Sequence, residues 1–303
     1  MLERVVTRAP ATTANMGPGF DCLGMALDIW NTTEVEVGPE ELRVEGEGAD
    51  TLPRGPENLV HRAFHRLFQE VGRRAPTVRI TCRNGVPVGR GLGSSAAAVV
   101  GGLLAANEMC GRPLGPQELL ELAAQVEGHP DNVAPALLGG MQLVVQEGER
   151  LITVPVPVPS RLGLVLLVPD MELPTREARA VLPRRVDLAD AVYNVGRAAL
   201  LVRAMTSGDL SLLRVATGDR LHQPARRTIF PAMGNIFRAA LMGGALGVFL
   251  SGAGPTVLAL VEGHEFTVGC YMLDAAQKSG LEANFVVSRP STQGAYVVEA
   301  GPP

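Results

Sequence analysis

Apolar and polar positions alternate along the chain in two successive groups of short strands and longer helices. Residues 4–8 and 32–37 (TTEVEV) alternate or are β-branched and predict strands. Between them, residues 11–24 (ATTANMGPGFDCLG) are dense in Gly, Asn and Thr and predict a loop. From Glu57 to Val71 the positions Leu59, Val60, Ala63, Phe64, Leu67, Phe68 and Val71 follow helical spacing, with arginines on the opposite face. Thr77–Arg83 predicts a strand that runs into a glycine-rich turn and then a helix from about Ser94 to Met109. That helix carries no charge from Ser94 to Asn107, which predicts burial on every side. A further helix, Pro116–Val126, opens on a proline suited to its first turn. Residues 153–159 (TVPVPVP) then alternate Val and Pro, which predicts an edge strand or an extended linker because proline donates nothing to a central ladder. The domain boundary is placed there, giving units 1–155 and 156–303.

The second group begins with a strand at Leu162–Val168, followed by helices at Thr175–Leu182, Leu188–Ser207, Asp209–Leu221 and Ala232–Met242. Two strands flank Ser251–Pro255, and a helix at Glu265–Ser279 precedes two short final strands. No repeat or low-complexity tract interrupts the pattern. Mixed strands and helices in both halves predict an α+β protein of two domains, and 303 residues also exceed what one small core organises.

Composition sharpens this picture in one respect. Lys278 is the single lysine, so the other 26 of the 27 basic residues are arginines. A formal charge of −4 offers no basic field for a nucleic-acid backbone, so no nucleic-acid partner is expected. Four scattered cysteines form no CxxC pair, no metal-ligand spacing joins them to the five histidines, and no apolar run approaches membrane-spanning length. A soluble cytoplasmic protein without a membrane partner is the expectation. His61, His65, His222 and His264 are read as helix-face or surface residues, and Trp30 and the methionines as core.

Candidate chemistry begins at residues 87–97, PVGRGLGSSAA, where glycines stand at alternate positions before two serines and the charge-free helix. Glycines let backbone N–H groups converge on an anion, and the helix N-terminus turns its unpaired N–H groups and positive dipole end to the same point. The Ser94 and Ser95 hydroxyls can cap the helix, touch a phosphate or coordinate Mg²⁺. A Walker A loop needs a lysine that this region lacks, and a dinucleotide fingerprint needs a third glycine at another offset.

These residues resemble the second motif of the GHMP kinases, the superfamily of galactokinase, homoserine kinase, mevalonate kinase and phosphomevalonate kinase. Residues 10–24 look like its first motif in the homoserine kinase form, and residues 250–256 (LSGAGPT) look like its third. The resemblance covers essentially the whole chain. It implies a ribosomal-protein-S5-domain-2-like nucleotide domain followed by a ferredoxin-like α/β sandwich. It also implies ATP binding by Pro87, Val88, Gly89, Arg90, Gly91, Leu92, Gly93, Ser94, Ser95, Ala96 and Ala97, with Gly252 and Gly254 closing on them. Ser95 and Glu127 are the implied Mg²⁺ ligands. Asn58 resembles an adenine-side Asn and equally suits a helix N-cap.

The string EGHPDNVAP at 127–135 is similar to the homoserine kinase branch. Ordinary turn chemistry also uses Gly, Pro, Asp and Asn, but it does not call for Glu127 ahead of the turn. Asp131 and Asn132 keep the superfamily's Asp-Asn pair without the Ser-Gly that usually precedes it, which leaves the proton acceptor open. The resemblance implies acceptor contacts from Asn15, Asp21, His129, Thr175, Arg179 and Arg226, with L-homoserine receiving the γ-phosphate of ATP in the threonine branch of amino-acid synthesis. A homodimer is also compatible with it. Two other readings stay open: a kinase for mevalonate or a sugar, and a non-catalytic sensor of the same fold.

Overall fold

The structure, a computed structural model, describes residues 2–148 and 150–302. The first unit contains β1 (Arg4–Asn15), β2 (Gly19–Val37), β3 (Glu41–Gly46), α1 (Leu59–Glu70), β4 (Val78–Asn84), α2 (Ser94–Met109), α3 (Pro116–Glu127), α4 (Pro130–Leu138), β5 (Met141–Glu147) and β6 (Arg150–Val156). The second contains β7 (Gly163–Pro169), α5 (Thr175–Ala180), α6 (Leu188–Ser207), α7 (Leu213–Ala216), α8 (Gln223–Arg226), α9 (Met233–Met242), β8 (Gly247–Leu250), β9 (Val257–Val261), α10 (Glu265–Lys278), β10 (Ala283–Ser288) and β11 (Tyr296–Gly301). No helix among the described residues is long and apolar enough to cross a membrane.

The first sheet has seven strands in the order β11-β1-β2-β4-β3, with β5 also on β2 and β6 outside β5. The second is antiparallel, in the order β10-β7-β9-β8, with helices after β7 and β9. That βαββαβ succession is the ferredoxin-like arrangement that the resemblance implies. α2, uncharged from Ser94 to Asn107, is buried along most of its length, with Val99, Val100, Leu103 and Ala106 inside the first core. β6 pairs only with β5, so Pro155 stands on an edge strand, and Pro157 and Pro159 follow its end.

Three expectations change. The segment expected as a loop at 11–24 is mostly strand: Ala11, Thr12, Thr13 and Ala14 pair with Leu27, Ala26, Met25 and Gly24. Only residues 16–18 make the turn between β1 and β2. Small buried residues here lie against the second sheet, and tertiary burial overrides a local composition that favours a loop. The Gly-His-Pro-Asp-Asn cluster likewise opens α4 rather than a simple turn, with Pro130 at its first position. The helix expected over 209–221 breaks into a 3₁₀ turn at Leu210–Leu212, the short α7 and irregular chain.

The boundary at 155/156 falls at the end of β6, but β11 returns to pair antiparallel with β1. The last strand therefore belongs to the first sheet, a long-range pairing that no local composition reports. The interior is also continuous across the boundary. One core cluster joins Met16, Leu23 and Met25 of the first unit to Leu164, Leu166, Leu258 and Leu260 of the second sheet. Burying these apolar faces against each other fixes the two units in one arrangement.

Candidate active site

Where the two units meet, a cavity of about 420 Å³ opens. On one wall lie the glycine turn and the start of α2; on the other lie the β1–β2 turn, α4, α5 and the residues after β8.

Gly89, Gly91 and Gly93 all adopt positive φ (66°, 75° and 66°), as a turn that gathers N–H groups requires. Gly91 also sits where a β-carbon would strike the Ser251 carbonyl, and its own oxygen accepts a hydrogen bond from Ser251 Oγ at 2.7 Å. Thr256 N bonds to Arg90 O at 3.2 Å, and Thr12 N to Leu92 O at 3.0 Å, so the turn is fastened from both units. The 252–255 turn therefore closes on the glycine loop as the third motif implies. Gly91→Ala forces both a left-handed alanine and a backbone collision. Stability should fall by about 2 kcal/mol or more in urea unfolding.

The first N–H groups of α2 have no acceptor within the helix and stand at the cavity with Ser94 and Ser95. Ala96 and Ala97, expected from the resemblance among the ATP contacts, instead bury their side chains in the first core and do not line the cavity, because the helix turns them inward. Arg90 is held back by Asp170 O at 2.5 Å and Glu172 at 3.4 Å. Asn58 caps α1: its Oδ1 accepts from Val60 N at 2.9 Å and its Nδ2 donates to Pro53 O at 2.8 Å. It lines the cavity as well, so the cap and the pocket wall are one residue.

Ser95 Oγ donates directly to Glu127 Oε1, joining the start of α2 to the end of α3. Burial pushes the Glu127 carboxyl up, the Ser95 bond opposes this, and nearby Asp131 adds to it. A half-buried carboxylate with a hydroxyl beside it is a pair of hard oxygen donors in the same cavity as the glycine turn. Among the described residues no three His, Cys, Asp or Glu side chains gather around a metal position. Two oxygens completed by phosphate and water are the usual holding of Mg²⁺, so the residues fit that ion.

The other side of the cavity gathers residues that are distant in sequence. Arg179 grips Asp21 with Nη2 at 2.7 Å and Nη1 at 3.2 Å, a fork-to-carboxylate pair across 158 positions. Asn15, at φ 67°, accepts from Asp21 N at 3.0 Å and donates to Gly252 O at 2.9 Å. Arg226 is 1% exposed, and burial, with Arg179 adding, lowers its pKa to about 10, so it stays charged at neutral pH. Burial, then Arg179, lowers the pKa of His129 at the start of α4, so its ring is neutral at pH 7. Thr175 opens α5 one turn before Arg179 and borders the same cavity. Asn132 accepts from Thr12 Oγ1 at 2.8 Å and donates to Asp131 at 3.3 Å.

Burial above all, and then Asp21, pushes Asp131 up to about 6. Its folded pKa thus lies above the ordinary 3.8, so the neutral form favours folding. That stability is complete below about pH 4 and is lost as pH rises through 6. The displacement corresponds to about 3 kcal/mol, so Asp131→Asn should raise stability by up to that amount at pH 8 and leave it unchanged near pH 4. Urea unfolding at the two pH values measures the difference.

His222, read from the sequence as a helix-face or surface residue, is 1% exposed and contacts Arg226 and Gly17. Asp219, Asn194 and Phe20, none of them singled out in the sequence, complete its surroundings. The signal that could have marked them is an Asp shortly ahead of Pro224, and the Asp219 carboxylate does accept from the backbone N–H groups of Leu221, His222 and Gln223. Lys278 lies on α10, paired with Asp274 and away from the cavity.

The GHMP kinases N terminal domain model matches residues 58–140, and the GHMP kinases C terminal model matches residues 192–268. A homoserine kinase of Moorella thermoacetica is 45% identical over 97% of this chain and 99% of its own. One from Desulfitobacterium hafniense is 43% identical over 97% of this chain and its own full length. The crystal structure of homoserine kinase from Cytophaga hutchinsonii superposes with a TM-score of 0.88 at 32% identity, covering 98% of each chain. A mevalonate kinase from L. major, 16% identical with a TM-score of 0.72 over 94% of this chain and 96% of that one, shares the fold. The chain belongs to the GHMP kinase family, among its homoserine kinases.

Proposed function

We propose that the enzyme transfers the γ-phosphate of ATP to the side-chain hydroxyl of L-homoserine, giving O-phospho-L-homoserine and ADP. The observation that carries the acceptor is the trio Asp21, Arg179 and Arg226 in the same cavity as the glycine loop. A zwitterionic amino acid offers one carboxylate and one ammonium, and this trio offers two guanidinium groups and one carboxylate. Asp21 and Arg179 pair with each other, and a bound zwitterion replaces that pair with one partner for each of its own charges. A sugar or mevalonate has no ammonium for Asp21.

The backbone N–H groups of Gly89–Ser95 and the α2 N-terminus receive the ATP phosphates. Ser95 and Glu127 would hold Mg²⁺, which when bound neutralises charge developing on the β- and γ-phosphates. The chain's own residues supply positioning: Asn15 and Asp21 fix the turn beneath the acceptor, and His129 and Thr175 border it. Phosphoryl transfer draws most of its acceleration from such placement and from charge neutralisation. Retention of both Ser95 and Glu127 speaks for catalysis rather than sensing. The test is a coupled ADP-release assay against L-homoserine, mevalonate, galactose and related acceptors. Turnover with homoserine alone is expected; turnover with mevalonate or a sugar but not homoserine would sink the assignment.

A further inference from the structure

The chain between α7 and α8 buries two side chains that phosphoryl transfer leaves unassigned, Asp219 and His222. Asp219 accepts four hydrogen bonds. Its Oδ1 takes Asn194 Nδ2 at 2.7 Å and Leu221 N at 2.9 Å; its Oδ2 takes His222 N at 3.1 Å and Gln223 N at 2.7 Å. A carboxylate so filled caps the first turn of α8 and has no capacity left for a ring. The imidazole of His222 is therefore governed by two other neighbours. Its Nδ1 lies 3.0 Å from Arg226 Nη1, and its Nε2 lies 2.7 Å from the Gly17 carbonyl oxygen.

A guanidinium can only donate and a carbonyl can only accept. One neutral tautomer satisfies both: a bare Nδ1 accepting from Arg226, and Nε2–H donating to Gly17. Phe20 stacks on the ring at 5.2 Å and also lies 5.7 Å from the Arg226 guanidinium carbon. Burial lowers the His222 pKa to about 4, against the Asp219 carboxylate 3.5 Å from Nε2, so the neutral ring is the form present at neutral pH.

We infer that His222 is a positioning residue of the acceptor site, joining the β1–β2 turn to Arg226 through an Nε2-protonated ring. It thereby fixes which guanidinium nitrogen meets the substrate. Arg226 Nε is taken by Ala178 O at 3.3 Å, and Nη1 by Gly252 O at 2.8 Å and by His222. Nη2 has no protein acceptor among the described residues, and Arg226 borders the cavity, so Nη2 is the nitrogen left for a carboxylate. The same ring holds the turn that carries Asn15 and Asp21, so the two halves of the acceptor site share one clamp. The identity of that carboxylate rests on the homoserine reading; the tautomer does not.

Two variants divide the ring. In His222→Asn an amide oxygen stands near the Nδ1 position and still accepts from Arg226. In His222→Gln the amide reaches the Nε2 position, can donate to Gly17, and leaves Arg226 without its acceptor. Loss of the acceptor for the charged Arg226 predicts a homoserine KM raised about tenfold in the Gln variant, whereas the Asn variant loses only the neutral bond to Gly17 and should rise no more than about threefold. The ATP KM should stay within about twofold in both, because the phosphate cradle is built elsewhere. Equal rises in the two variants, or homoserine and ATP KM rising together, would overturn the positioning role. Independently, long-range ¹H–¹⁵N spectra of histidine-labelled enzyme should show the neutral Nε2-protonated pattern for His222 at about pH 7, assigned by its absence in the Asn variant. An imidazolium or Nδ1-protonated pattern would overturn it as well. If the wild type phosphorylates no amino acid, the functional reading fails, while the ring pattern still decides the tautomer.

Discussion

Glu127→Gln should lower kcat/KM by about 10²–10³ and shift half-saturation by Mg²⁺ to much higher concentration, with the fold intact. The glutamine keeps the shape and still accepts from Ser95 Oγ, so α2 and α3 remain joined. What it removes is the carboxylate charge that the chain places beside Ser95 at the start of α2. Burial already raises the cost of the Glu127 charge, so relief of that cost should leave stability unchanged or slightly higher. Steady-state kinetics across a Mg²⁺ titration, together with urea unfolding, separates the two effects. Unaltered Mg²⁺ dependence would remove Glu127 from the metal site.

Arg179→Ala should raise the homoserine KM by about 10- to 100-fold while leaving the ATP KM close to wild type. The guanidinium holds both Asp21 oxygens and flanks Arg226 across the same cavity, so its loss takes away a partner for carboxylate and frees Asp21 from its position. Arg179→Lys should recover little, because an ammonium is a point donor that cannot grip two oxygens in parallel. A homoserine KM unchanged in the alanine variant would take Arg179 out of the acceptor site. The contrast with Glu127 is diagnostic: one substitution acts on the acceptor, the other on the metal and the transfer step.

Much of the site was legible because its chemistry is local. The glycine spacing at 89, 91 and 93, the serines after it and the charge-free helix are neighbours in sequence, and backbone N–H groups at a helix start need no distant partner to be anion donors. Glu127 was legible for the same reason, standing just ahead of a turn rich in polar groups. His222 was not. Its role comes from Gly17, 205 positions away, and from Arg226 folded back beneath it, and a histidine on a short helical stretch carries no mark of either. Asp21 and Arg179 were both named, yet the bidentate pair between them exists only once α5 lies over the β1–β2 turn.

The same division runs through the fold. Periodicity by itself determined most elements, such as α6 over Leu188–Ser207 and the β8 and β9 strands around the 251–255 turn, while proline placement narrowed 153–159 to an edge strand or a linker. The lysine-poor composition excluded a Walker lysine, so a phosphate loop here is expected to rest on backbone N–H groups. Only the tertiary structure decided that residues 11–15 are strand, that β11 returns to β1, and that one core spans both units. The physical reason is that a strand exists by virtue of the partner it hydrogen-bonds and the face it buries, and those partners lie tens to hundreds of residues away. Helices satisfy their own backbone and declare themselves locally; strands, turns and buried ion pairs wait for the chain to close.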